Sequence, residues 1–182
     1  MTETPAPETT VIELRPCTPD DVAQIAAIYR DAVLHGTASF EIEPPDDGEM
    51  AARRAALVEA GYPYIVAVQD GGVVGYAYAG PYRPRPAYSS TVENSVYVRP
   101  DRHGHGIGRA LLDRLVVEAA ARGYRQMVAV IGDSANRASV ELHRRAGFAL
   151  VGTLRDVGWK HGRWLDTVLM QRALGSGSVT QR

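Results

Sequence analysis

Apolar side chains recur at Val22, Ile25, Ala26, Ile28, Tyr29 and Val33, a spacing that lays one hydrophobic face along a helix. Ahead of it, Thr18-Pro19-Asp20-Asp21 supplies a capping residue, a proline at the first helical position and acid in the first turn. A strand over Val11 to Arg15 is expected before this helix, and a second helix over about Asp47 to Ala60 after it. The period then changes. Tyr64 to Gln69, Val73 to Ala79 and Thr91 to Val98 are rich in β-branched and aromatic residues, and Asp70-Gly71-Gly72 joins the first two through residues that tolerate positive φ. These three segments read as an antiparallel meander. Helices are predicted over about Gly108 to Arg122 and Asn136 to Ala146, the latter stopped by Gly147. Strands are predicted at Tyr124 to Ile131, Leu150 to Val157 and Trp164 to Gln171, with a turn at Lys160-His161-Gly162. The order implies an α+β fold with a mixed central sheet flanked by helices, rather than regular βαβ winding.

A chain of 182 residues fits one domain and one active site. Residues 1–10 are Pro/Thr/Glu-rich and residues 175–182 are Gly/Ser-rich, so both read as unstructured tails around a folded domain spanning 11–174. A net charge of -1, with Lys and Arg scattered, gives no basic stripe for nucleic acid. Cys17 is the single cysteine, which excludes an intrachain disulfide framework and a multi-cysteine metal site and suits a reducing cytoplasm. His35, His103, His105, His143 and His161 show no metal-ligand spacing, and no metal is expected. The start lacks a basic, apolar leader and no stretch reaches bilayer length, so neither export nor a membrane span is expected.

Candidate chemistry concentrates after the third meander strand, in Val96-Tyr97-Val98-Arg99-Pro100-Asp101-Arg102-His103-Gly104-His105-Gly106-Ile107-Gly108-Arg109. Alternating glycines open a helix there. Backbone N–H groups crowd around an anion most easily where side chains are missing, and the helix start adds partial positive charge. A Walker loop is excluded because no Gly-Lys-Ser/Thr follows, and a dinucleotide fingerprint because the spacing is G-x-G-x-G behind a meander. A plain strand-to-helix turn stays open.

The segment resembles the coenzyme A pyrophosphate loop of the GNAT superfamily, Q/R-x-x-G-x-G/A, read here as His103-Gly104-His105-Gly106-Ile107-Gly108 with His in place of Arg or Gln. Further landmarks of the phosphinothricin and methionine sulfoximine acetyltransferase branch are Ala38-Ser39-Phe40-Glu41, Arg83-Pro84, Thr91 to Val98, Val128 to Ile131, Asn136 to His143, Gly147-Phe148 and Gly162 to Asp166. The resemblance implies an N-acetyltransferase using acetyl-CoA as cosubstrate. It implies that Val96, Tyr97 and Val98 pair with the pantetheine arm as an added strand, that the Val98 N–H faces the thioester carbonyl, and that residues 103–109, Asn136 and Ser139 also contact the cofactor. Asn136 serves equally as the cap of its own helix.

Acyl transfer to an ammonium needs a base, an oxyanion donor and a proton for the departing thiolate. Glu93 alone reads as an exposed strand carboxylate; the resemblance makes it the general base, acting through a water. His143 stands where many family members carry the tyrosine that protonates the thiolate, and its other reading is a hydrogen-bonded helix histidine. Arg83 and Arg85, held by Pro84 and its neighbouring prolines, suit a carboxylate or phosphinate on the acceptor. Phe40 resembles the pocket wall of this branch, although a core phenylalanine is the commoner state, and Asn94 and Ser95 adjoin the same site. The acceptor implied is the α-amine of L-phosphinothricin, methionine sulfoximine, methionine sulfone or a relative. A protein N-terminus or lysine is the alternative acceptor, and a non-catalytic acyl-CoA sensor is the reading from another class. The apolar hairpin around Trp159, Trp164, Leu165, Val168 and Leu169 and the habit of the resembled branch imply a homodimer.

Overall fold

A computed structural model describes residues 11–179. Strand β1 (Glu13–Pro16) leads through a 3-10 turn (Pro19–Asp21) into α1 (Val22–His35), and α2 (Asp47–Glu59) follows. Strands β2 (Tyr64–Gln69), β3 (Gly72–Pro81) and β4 (Thr91–Val98) form the expected antiparallel meander. Then come α3 (Ile107–Ala121), β5 (Gln126–Gly132), α4 (Arg137–Arg145), β6 (Ala149–Lys160) and β7 (Arg163–Ala173). The tail assigned to residues 1–10 lies outside the described residues, as do 180–182. Residues 175–178 form turns behind β7.

All seven strands join one sheet in the order β1-β2-β3-β4-β5-β7-β6. Only β4 and β5 run parallel, and this single parallel pair joins an antiparallel half at β1 to β4 to another at β5 to β7. Because side chains alternate along a strand, the β1–β4 half buries both of its faces. Ile65, Ala67, Ala77, Ala79 and Val92 pack on Leu111, Leu112 and Leu115 of α3. Tyr64, Val66 and Tyr76, on the opposite face, pack on Ile25, Ile28, Tyr29 and Val33 of α1 and on Met50 of α2.

Several boundaries differ from those expected. Strand β1 begins at Glu13, and α1 begins at Val22 after a separate 3-10 turn. Strand β3 continues to Pro81, where proline is tolerated at the end of the ladder. Strand β6 runs on to Lys160, so the hairpin closes on His161 and Gly162 alone, both at positive φ (50° and 72°) as a two-residue turn needs. Of the hairpin residues expected to form an apolar surface, Leu165 and Val168 are buried core instead, at 1% and 5% exposure. Trp159 and Trp164 are exposed, and Leu150, Val151, Leu154 and Val157 of edge strand β6 join them. Among the described residues no helix is long and apolar enough to cross a membrane.

Asp21 anchors the start of α1. Its carboxylate accepts two hydrogen bonds from Arg15, at 2.7 and 2.8 Å, and one from the Thr18 N–H at 2.8 Å. Arg15 and, less strongly, Thr18 hold its acid constant down at about 2, against the opposing effect of burial. A depressed carboxyl stabilises the fold above its unfolded value of 3.8, and that share disappears as pH falls toward about 2. Asp21→Asn should therefore cost about 2 kcal/mol at neutral pH. Urea midpoints of the two proteins should differ at neutral pH and converge in acid; a gap independent of pH would assign the loss to packing.

Candidate active site

The parallel ladder between β4 and β5 stops at the pair Asn94↔Ala129. Beyond it β4 stays with β3 as far as Gly75↔Val98, whereas β5 stays with β7 as far as Gly132↔Thr167. A cleft opens between them, lined on one side by Asn94, Ser95, Val96 and Tyr97 and on the other by Ala129, Val130, Ile131 and Gly132. Ala38, Asn136, Ser139 and His143 complete its walls.

Backbone direction follows from register. The Arg99 N–H donates to the Val74 carbonyl at 2.9 Å, so Arg99, Tyr97, Ser95 and Glu93 turn their backbone groups to β3. Val96 and Val98 thereby turn theirs to the cleft, where β5 has already left. The Val96 N–H and C=O and the Val98 N–H thus form an open strand edge ready for an extended ligand. The Val98 carbonyl accepts a hydrogen bond from His103 Nε2 at 2.9 Å, and the His103 carbonyl accepts one from His105 Nδ1 at 2.9 Å. Both expected oxyanion and pantetheine contacts, Val98 and Val96, are thus on the open edge.

That edge runs straight into the glycine turn. Gly104 and Gly106 adopt φ of 80° and 79°, which is why glycine occupies them. The first backbone bond inside α3 is Ala110 N–H to the Gly106 carbonyl at 3.0 Å, so the preceding amides of Ile107, Gly108 and Arg109 face outward at the positive end of the helix. The Arg109 side chain turns along the helix to Asp113.

Side-chain alternation splits β4 into two working faces. Glu93, Ser95 and Tyr97 face α1 and α2, while Val92, Asn94, Val96 and Val98 face α3 and α4. Glu93 is half-buried; burial raises its carboxyl above the ordinary range and Arg83 partly opposes this. Arg83 and Arg85 are both exposed, and Arg83 is the charge that acts on Glu93. Asn94, grouped by sequence with the acceptor residues, points the other way: its amide oxygen lies 3.0 Å from His143 Nε2. Adjacent strand residues cannot share a face. His143 is buried at 4%, with Nδ1 donating to the Ser139 carbonyl at 2.8 Å. Burial pushes the imidazole below its usual range and the Ser139 carbonyl pulls it back. Asn136 caps α4 by accepting from the Ser139 N–H at 3.2 Å, which leaves its cap role established and its side chain beside the cleft.

Phe40 is 37% exposed, its ring lying on Gly158 and on Gly132, the latter a lining residue of the cleft. A Cβ at Gly158 would stand 2.3 Å from that ring, and one at Gly132 would stand 2.3 Å from the Thr37 carbonyl oxygen. Sequence reasoning missed both glycines, since nothing local marks a contact with a loop so distant in the chain. Lys160, expected in the turn, is instead the last residue of β6. Lys160 is buried at 4% and donates to the Ser39 carbonyl at 2.7 Å, tying the Phe40 loop to the end of β6.

The profile of the acetyltransferase (GNAT) family matches residues 18–148. The chain belongs to that family. It is 50% identical to the phosphinothricin N-acetyltransferase of Alcaligenes faecalis, over 96% of this chain and 92% of that one. It is 46% identical to an L-methionine sulfoximine/L-methionine sulfone acetyltransferase of Pseudomonas paraeruginosa, over 83% and 88% of the two chains. A crystal structure of a phosphinothricin acetyltransferase from Sinorhizobium meliloti in complex with acetyl-CoA superposes with a TM-score of 0.91 at 48% identity, covering 93% of this chain and 92% of that one. This acetyltransferase is therefore acetyl-CoA-dependent.

The residues present fit that cosubstrate. Amides along the pantetheine arm match the open Val96–Val98 edge, and the pyrophosphate matches the outward amides of the glycine turn. A Cβ at Gly108 would meet only Leu142 at 3.5 Å and Val98 at 3.6 Å, so the protein itself leaves room for one. Gly108→Ala in the acetyltransferase should therefore hold or raise Tm, because alanine favours a helix by about 1 kcal/mol over glycine. The same change should leave acetyl-CoA binding by calorimetry nearly unchanged, since the methyl group turns to Leu142 and Val98 and the Q/R-x-x-G-x-G/A pattern takes alanine at this position. A marked loss of affinity would instead place that methyl group against the cosubstrate.

Proposed function

We propose that the acetyltransferase acts on the α-amine of a small amino acid analogue of the type of L-phosphinothricin, methionine sulfoximine or methionine sulfone. The observation that carries this reading is Glu93, a half-buried carboxyl with raised proton affinity, set beside exposed Arg83 where the β4 edge becomes free. The substrates named for the relatives support it. Glu93 takes the ammonium proton through a water, and the neutral amine attacks the thioester carbonyl directly, through a tetrahedral intermediate. The N–H of Val98 donates to the developing oxyanion, and Val96 on the same edge pairs with the pantetheine arm. Arg83, held by Pro84, grips the acceptor carboxylate or phosphinate, Arg85 extends the same cationic arm, and Phe40 walls the pocket. His143, on the opposite face of β4, returns a proton to the departing sulfur.

Initial rates with a panel of amino acid analogues, simple amines and peptides test this reading. Glu93→Gln should lower kcat at neutral pH by about 100-fold to 10,000-fold with acetyl-CoA affinity little changed, and rates should partly recover at high pH. Because the Glu93 carboxyl is raised, wild-type kcat/KM should climb with pH until that group is ionised. Arg83→Ala should raise the acceptor KM about tenfold or more while sparing the acetyl-CoA KM. Peptides turning over faster than the analogues would refute the proposed acceptor class.

We also propose that the chain is a homodimer. Trp159 and Trp164, at 56% and 58% exposure, meet edge to face at 5.3 Å beside the apolar edge strand β6, a surface that calls for a cover. Sedimentation at micromolar concentration should give twice the mass of one chain, and Trp164→Glu should halve it; a single-chain mass for the wild type refutes the dimer.

A further inference from the structure

Asn94 is 6% exposed at the point where β4 and β5 part, and its amide touches both β5 and α4. The Val128 carbonyl can only accept, so the amide nitrogen faces it, at 3.3 Å. The amide oxygen is thereby turned to His143 Nε2 at 3.0 Å. On the other side of the ring, Nδ1 lies 2.8 Å from the Ser139 carbonyl, which again can only accept. Three contacts run in line from one carbonyl to another, and each needs one proton. The amide supplies one and a neutral imidazole supplies one. The run is thus one proton short with a neutral ring and complete with a charged ring. Turning the amide over only moves the clash to Val128. The Ser139 hydroxyl, 3.5 Å from Nδ1, offers a proton there only if the nearer carbonyl loses its donor.

We propose that Asn94 is a positioning residue that holds a proton on Nε2 of His143, so that the ring faces the cleft as an imidazolium. This rests on the reading of His143 as the proton source for the departing sulfur. The ring is faced by Asn94 from β4, by Ser139 from its own helix and by the ring of Phe148 edge-on at 5.1 Å. No charged side chain among the described residues acts on it. Burial therefore works against the charge, and the two acceptors work for it. When the bond from the acetyl carbon to sulfur breaks, the electron pair goes to sulfur and the Nε2 proton follows, giving a free thiol and a neutral imidazole. The ring keeps its Nδ1 proton on Ser139, and its new Nε2 lone pair faces the Asn94 oxygen. That repulsion favours recapture of a proton from solvent.

Ring-nitrogen NMR of 15N-labelled protein, with the His143 signals identified by their loss in His143→Gln, reads the charge directly. The wild-type ring should carry both protons at the acid end of the titration and release one in a single step as pH rises. Asn94→Leu should lower that midpoint by about one unit or more, and Asn94→Asp should raise it. In rate assays, Asn94→Leu should lower kcat at neutral pH with the acetyl-CoA KM nearly unchanged, and the alkaline limb of kcat should move to lower pH with the NMR midpoint. A wild-type ring that stays neutral throughout, or midpoints unmoved in the variants, overturns the proposal. Should Asn94→Leu fail to fold, Asn94→Asp alone decides it. Midpoints that move while kcat does not would support Asn94 as the proton holder and defeat instead the reading of His143 as the acid.

Discussion

The backbone of β4 cannot satisfy two partners at once beyond Asn94. Its odd residues are committed to β3, and its even residues lose β5 when that strand follows β7. The Val96 backbone unit and the Val98 N–H are left at the edge of a sheet in the middle of the molecule, while the Val98 carbonyl turns to His103. Unpaired backbone groups away from water are costly, so such an edge persists only where solvent or a ligand reaches it. The cleft, the direction of the Val96 and Val98 amides and the path from strand to glycine turn all descend from that one interrupted ladder. A closed seven-stranded sheet would have the same core and no site.

What keeps the two halves apart is packing around the cleft mouth. The Thr37–Phe40 loop lies against Gly132 and Gly158, whose missing side chains let it approach, and Lys160 holds the Ser39 carbonyl from the end of β6. Asp133 turns the chain at φ 68° straight after β5 and pairs with Arg163 at 2.5 Å, which fixes where α4 starts. Asn136 then caps α4 and so determines which turn of that helix presents His143 to Asn94. These contacts join residues from opposite ends of the chain around one opening.

Much of this was legible in the residues. Strands β2 and β4 match their expected limits because β-branched and aromatic runs there end in turn formers, and α2 starts after Asp46, whose side chain accepts from the Glu49 N–H at 2.8 Å. Strand β6 was cut short because register shifts after Leu150 and Leu154 break its alternation. The burial of Leu165 and Val168 does not follow from a single apolar face: three residues apart on β7, they point to opposite sides of the sheet, and only Val168 joins the core beneath α3. The direction of Asn94 was available in principle, since an acid at 93 working toward α1 forces residue 94 toward α4. The glycines beneath Phe40 and the buried amine of Lys160 were not, because each depends on a partner about 90 to 120 residues away in the chain, where no local propensity reaches.

The period of two in β4 also bears on the chemistry. On the proposed reading, the attacking amine and the departing thiolate each need a proton partner of their own, placed so that the two partners do not compete for one position. Neighbouring residues of a strand supply that at no cost in geometry. Glu93 reaches the α1 and α2 side and Asn94, carrying His143 with it, reaches the α3 and α4 side, one residue apart in the chain. In a helix, consecutive residues lie about 100° apart, and the two groups would share a face or miss the edge altogether. The strand therefore does more than present backbone amides: its alternation sets Glu93 and the Asn94–His143 pair on opposite faces of the sheet beside the same open edge.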